Sequence, residues 1–225
     1  IYTGEDTLSL HDALPIWTGF RLALGGAQEH YGVKADLACF SKAVANGMPI
    51  SMLTGRAEVM RLCEKDVFFF TTFGGEALSL AAAKATIEEI RDKQVPARLA
   101  AQGKKLMDGY NAIARELGLD YTACTGMPCR SIITFAPGKA APLEMKSLVQ
   151  QEMVARGILW GGFHTMSFSH SDEDVALILA AYREVLPILE AAVDAGDVRA
   201  RLRGEPVEPV FRKTTNFHMK PKPRA

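Results

Sequence analysis

Lys42 stands at the end of a short apolar run and just before a turn, a place where an amine can do chemistry that a solvated surface lysine cannot. Residues 37–40, Leu-Ala-Cys-Phe, have the composition of a strand, Ser41-Lys42 lie at its end, and Asn46-Gly47 and Pro49 break the chain after it. A second apolar run over 50–53 closes at Thr54-Gly55. Lys42 is therefore expected in a loop between two buried strands, where open α/β sheets hold ligands. Partial desolvation there disfavours the ammonium and frees a neutral amine that attacks a carbonyl carbon, the route to a Schiff-base lysine. The alternative is an ordinary solvated loop lysine, and spacing by itself leaves both open.

The elements that must position this lysine follow from the pattern around it. A helical stretch over 26–31 ends at Gly32 and leads into the first strand. After the second strand come a short helix over 56–64 and an aromatic, β-branched run over 67–72 that suits a buried strand end. Residues 73–75 turn the chain, and a helix over 76–90 follows, with Leu78, Leu80, Ala82, Ala83 and Ile87 available for burial. Thr72 thus stands ahead of a helix N-terminus, whose unpaired amides and dipole favour a phosphate. An ordinary turn or capping threonine is the competing reading. Beyond a break at 94–96, a long helix over 97–117 carries Leu99, Leu106, Tyr110, Ile113 and Leu117 near one face. A strand over 132–135, a helix over 143–155, a strand over 158–160 and a helix over 172–195 capped by Ser171 complete a compact α+β unit.

Composition narrows the function classes. The 225 residues carry 26 basic and 26 acidic side chains, so no net field would gather nucleic acid or an anionic membrane, and a small-molecule partner is expected. Cys39, Cys63, Cys124 and Cys129 are scattered with no Cys-x-x-Cys pair, which argues against a zinc site and a disulfide framework and for a reducing, cytoplasmic setting. His164 and His170 lack further partners at metal-ligand spacing. No run approaches the roughly 18 apolar residues of a membrane helix. Arg130 is a candidate carboxylate clamp by its chemistry, with a structural arginine as the preferred reading. Phe163-His164 and Ser169-His170 are candidates for the mouth of a site.

Four separated motifs, in order, resemble the class III aminotransferases: Trp17-Thr18-Gly19-Phe20-Arg21, Gly25-Gly26-Ala27-Gln28, the Asp36 to Ile50 stretch, and Thr71-Thr72-Phe73-Gly74-Gly75-Glu76. Within that family the chain is most similar to the glutamate-1-semialdehyde aminomutase-like branch. The resemblance, which runs from Trp17 to about Arg212, implies an α/β, fold type I (aspartate-aminotransferase-like) pyridoxal-phosphate enzyme, with Lys42 carrying the cofactor as a Schiff base. It also implies that Thr72 binds the cofactor phosphate of the neighbouring subunit in a homodimer. Amino-group transfer from an amino donor to an aldehyde, keto acid or keto sugar is the implied reaction. Glutamate-1-semialdehyde 2,1-aminomutation is the alternative, although residues 41–51 lack the glycine-richer turn expected after the lysine of that enzyme. A non-catalytic binding or dimerisation derivative of the fold is a further one.

Residues 1–16 resemble a translated sequencing-library adapter and are set apart from the fold. The expected organisation is then a remnant of the cofactor-binding large domain over 17–94, a linking helix and small C-terminal domain over 95–203, and a polar tail over 204–225. This corresponds to the C-terminal half of the fold, with a partial large-domain sheet. The family's ring-nitrogen carboxylate precedes the Thr-Gly-Phe-Arg motif; Asp12 does not stand in for it, and the glycine-rich phosphate turn is also missing, so the chain by itself is expected to be inactive.

Overall fold

The computed structural model describes residues 21–68, 72 and 74–208; the expectations for residues 1–20, for 69–71 and 73 and for the tail beyond 208 lie outside the described residues. A short helix, Ala27–Tyr31 (α1), is followed by strand Leu37–Ser41 (β1), a 3-10 turn Lys42–Ala45 and strand Ser51–Gly55 (β2). β1 and β2 pair antiparallel as a two-stranded sheet, with Leu37 opposite Gly55 and Ser41 opposite Ser51. Helix Ala57–Met60 (α2) runs on into a 3-10 turn, Arg61–Glu64. Helices Ala77–Asp92 (α3) and Val95–Glu116 (α4) come next, Pro96 of α4 falling in the first turn, where a missing N–H costs nothing.

The rest of the described chain is β3 (Thr122–Met127), β4 (Arg130–Phe135), helix Pro142–Ala155 (α5), β5 (Phe163–Thr165) and helix Asp172–Ala195 (α6), then a 3-10 turn, Val198–Arg201. β3, β4 and β5 form one sheet in that order. By compactness the chain divides into two units. Of the described residues, the first holds those from 21 to 107 together with 126–131 and 164–175; the second holds 108–125, 132–163 and 176–208.

In the second unit the core is dense. Tyr110 and Tyr182 meet edge to face at 4.9 Å, the Tyr110 hydroxyl lies 2.6 Å from Thr122 Oγ1, and Trp160 Nε1 donates to the Tyr182 hydroxyl at 2.5 Å. These buried polar tips are thus paired, as burial requires. Asn111 fastens β3 by accepting from the Cys124 amide and donating to the Cys124 carbonyl. In the first unit, a small cluster of Val44, Ala45 and Ala83 is fully buried, with Met48, Ile50, Met52, Ala82 and Ile87 packed around it.

Four expectations are corrected. No strand forms over 158–160: the Ile158 amide is taken by the Met153 carbonyl and the Gly157 amide by that of Val154, a Schellman closure of α5 made possible by Gly157 at φ 79°. Leu159 is left 97% exposed, and the strand is Phe163–Thr165 instead. Val67 and Phe68 belong to no strand and lie open to solvent. On α3 the buried stripe is Ser79, Ala83 and Ile90, so Leu78 and Leu80 point outward. β1 and β2 are mostly exposed or half-buried, not covered on both faces.

Candidate active site

Lys42 follows the last residue of β1 and opens the 3-10 turn. Its φ of 54° is left-handed, a conformation that costs a residue with a Cβ about 1 kcal/mol and recurs where function demands an unusual presentation. Its neighbours hold it there. Behind it, Val44 and Ala45 are buried against Ala83 of α3, so the turn is anchored by apolar burial. Before it, Ser41 is fully extended, and its hydroxyl lies 2.9 Å from that of Ser51 in the closing pair of the β1–β2 ladder. At the far end of the hairpin, the Arg56 amide donates to the Asp36 carbonyl and the Arg56 guanidinium to the Asp36 carboxylate at 2.9 Å. Asn46 at φ 45° and Gly47 at φ 112° then bend the chain toward β2.

The result is an open hollow of about 690 Å³, lined by Ser41, Lys42, Ala43, Asn46, Met48 and Ser51 among others, with Lys42 exposed at its wall. It offers an amine, hydroxyls, a carboxamide and an apolar floor.

Thr72 is an exposed turn residue, five positions ahead of Ala77, where α3 begins. The turn that bears Lys42 packs against α3 through the Val44–Ala45–Ala83 cluster, and Thr72 precedes that helix in the same unit. The helix end itself differs from the expectation of unpaired amides. The Glu76 carboxylate accepts from the Leu78 and Ser79 amides at 2.7 Å each and from the Ser79 hydroxyl at 2.6 Å. Those bonds hold its pKa below the usual carboxylate range, the Ser79 hydroxyl contributing most. An anion of the chain's own already occupies these two donors.

His164 and His170 are each engaged by a neighbouring serine. His164 is buried with Nδ1 2.9 Å from Ser131 Oγ, and burial pushes its pKa down to about 4, so it is neutral at pH 7. His170 Nδ1 accepts from the Ser167 amide at 3.0 Å. Half-buried Arg130 has its pKa lowered, first by burial and then by the positive charge of Arg21. Among the described residues, no group of three or more His, Cys, Asp or Glu side chains could hold a metal ion.

Comparison with known proteins bears on this geometry. Residues 13–121 match the family model for class-III aminotransferases. Over that stretch, nearly half of its length, the chain is similar to the class III aminotransferases. The chain is 32% identical over 174 residues to a 3-aminobutyryl-CoA aminotransferase of Cloacimonas acidaminovorans, covering 76% of itself and 42% of that protein. It is also 32% identical over 198 residues to a glutamate-1-semialdehyde 2,1-aminomutase of Methanosarcina acetivorans, covering 81% of itself and 45% of the relative. Among solved structures it is similar to the FumI protein of Sphingopyxis sp. MTA144 in its pyridoxal-phosphate internal aldimine form, with a TM-score of 0.69, 27% identity, and coverage of 82% and 43% of the two chains. The fold is that of the fold type I transaminases, in part: the chain spans less than half the length of these relatives.

Sequence reasoning missed Ser51 and Glu76. Ser51 becomes visible only once the register opposite Ser41 is known. Glu76 carried a signal that went unread, an acidic residue three positions before Ser79 at a helix start.

Proposed function

We propose that this chain carries the lysine of a pyridoxal-phosphate-dependent aminotransferase, with Lys42 as the residue that binds the cofactor covalently. The observation that carries the reading is the strained, left-handed presentation of Lys42 at the end of a strand, anchored by burial behind and open to a hollow in front. The donor set fits the aldehyde end of that group: an amine with hydroxyl and carboxamide neighbours on an apolar floor. Pyridoxal phosphate supplies, when bound, an aldehyde for the lysine amine and a ring that accepts the electron pair left when a substrate C–H bond breaks. Lys42 then acts as base, taking a proton at Nζ from the substrate carbon and later returning it. Ser41 and the buried Val44 and Ala45 hold its backbone during both events.

Thr72 is assigned to the cofactor phosphate of a second subunit in a homodimer, through its hydroxyl and the turn around it rather than through the Leu78 and Ser79 amides that Glu76 occupies. Substrates are a small amino donor and a carbonyl acceptor, and the setting is the cytoplasm, in keeping with four free thiols. Aminotransfer is preferred to aminomutation because residues 41–51 hold one glycine, Gly47, where the mutase would be glycine-richer.

The test is reduction with borohydride after addition of pyridoxal phosphate, followed by peptide mapping. A pyridoxyl adduct on Lys42 is expected, absent from Lys42→Ala; an adduct only on other lysines would sink the assignment. Thr72→Ala should weaken cofactor retention by about 1–3 kcal/mol, the cost of losing a hydrogen bond to a charged group.

A further inference from the structure

We infer that the Ser41–Ser51 hydroxyl pair is a positioning device for Lys42, an inference that rests on the proposed role of that lysine. Ser41 and Ser51 are the last partners of the β1–β2 ladder, and their hydroxyl oxygens are 2.9 Å apart. Ser41 Oγ also reaches the Ile50 carbonyl, at 3.5 Å. Between the two serines the chain makes the whole excursion that contains Lys42, the buried Val44 and Ala45, and the left-handed Asn46. Both serines line the hollow that Lys42 faces.

A left-handed φ at a residue with a Cβ persists only where the surroundings over-determine it. On its C-terminal side Lys42 is held by burial of the next turn. On its N-terminal side the adjacent residue is Ser41, extended at φ −155° and ψ −174°, and its hydroxyl ties it across the hairpin to Ser51 at 2.9 Å and, more weakly, to the Ile50 carbonyl at 3.5 Å. A strand end without that tie frays, because the final pair of a two-stranded ladder has no neighbour on its outer side. Fraying at Ser41 releases the backbone of Lys42 into right-handed and extended conformations, which aim Nζ elsewhere. The hydroxyl pair thus raises the fraction of time in which the amine faces the hollow, without touching substrate or cofactor itself.

The experiment follows the rate at which Lys42 is trapped by pyridoxal phosphate and borohydride, by quantitative peptide mapping of the full chain, for wild type, Ser41→Ala, Ser51→Ala, the double variant and Ser41→Thr. Each single alanine should slow trapping at Lys42 roughly three- to fivefold, the effect of one net hydrogen bond on a population. The double variant should be no slower than Ser41→Ala, which by itself already removes the bond to Ser51. Ser41→Thr, which keeps the oxygen and suits an extended backbone, should restore the wild-type rate, and labelling of other lysines should not change. Unchanged rates in the single variants, additive losses in the double, or a threonine variant as slow as alanine would overturn the inference. If wild type is not labelled at Lys42 at all, the failure belongs to the assignment of the lysine and not to the serine pair.

Discussion

The lysine-bearing region, residues 21–92, and the region from 95 to 208 are built on different terms. In the first, among the described residues, complete burial is confined to a few small side chains such as Val44 and Ser79, the sheet has two strands, and Phe68 is 90% exposed. In the second, Tyr110, Tyr182, Met145, Leu148, Leu186 and Leu189 are all essentially inaccessible, and the hydroxyls of the two tyrosines are paired with Thr122 and Trp160. Burial of large apolar side chains is what holds a chain against its conformational entropy, so cooperativity resides in the second region. Lys42, to which we assign the chemistry, lies in the first. A reactive amine needs access, and access is incompatible with the packing that makes the other region stable.

The strongest way to break this comparison is to cut a large side chain from the dense core. Tyr182→Ala removes a buried ring, its edge contact with Tyr110 and the partner of Trp160 Nε1, and should cost about 4 kcal/mol in chemical denaturation. Phe68→Ala, which removes a ring of similar size that is exposed, should stay within about 0.5 kcal/mol. Similar costs for the two would mean that the regions are not differently built.

How far the sequence revealed this division depends on which force shaped each element. The last helix was legible to its ends, because Ser171 and Asp174 form reciprocal caps, Asp174 N to Ser171 Oγ at 3.1 Å and Ser171 N to Asp174 Oδ2 at 2.8 Å, and such bonds are local. The Leu37 strand and the lysine at its end were legible for the same reason, as short apolar runs bounded by turn residues. β3 was not. Its Thr-Ala-Cys-Thr-Gly-Met sequence has little strand character, and what fixes it is distant in the chain, the two bonds from Asn111. Residues 158–160 failed in the opposite sense, since an apolar triplet looks like a strand until its first amide is seen to be spent on a helix end. Ser51 belongs with β3: its partner across the hairpin is a matter of register, which pairing decides and composition does not.

A second prediction sharpens the comparison through pH. His164, buried beside Ser131, has a folded pKa near 4 against about 6.5 when unfolded. The folded state therefore resists a proton that the unfolded state accepts. Stability is full above pH 6.5 and falls as the pH is lowered toward 4, by about 3 kcal/mol at most. Carboxylates held low by their partners, such as Glu152 and Asp174, add their own losses only at more acidic pH. Denaturation midpoints should thus decline already between pH 6.5 and 5, and His164→Gln should flatten that part of the curve. A wild-type profile flat over this interval would show that the histidine is not buried as described.

The smallest effect is expected at the lysine itself, and its sign carries the information. In most turns and helices, glycine is less stable than alanine by about 0.5–1 kcal/mol, because the unfolded chain gains freedom. At φ 54° the order should invert, since alanine keeps the Cβ that makes a left-handed residue costly and glycine does not. Lys42→Gly is therefore expected to be more stable than Lys42→Ala by up to about 1 kcal/mol, with neither able to form the pyridoxyl adduct. The comparison between two inactive variants removes the amine's chemistry from the measurement and leaves only the backbone. Should Lys42→Ala prove the more stable of the two, the left-handed presentation would be refuted, and with it the argument that the chain spends stability to aim this side chain.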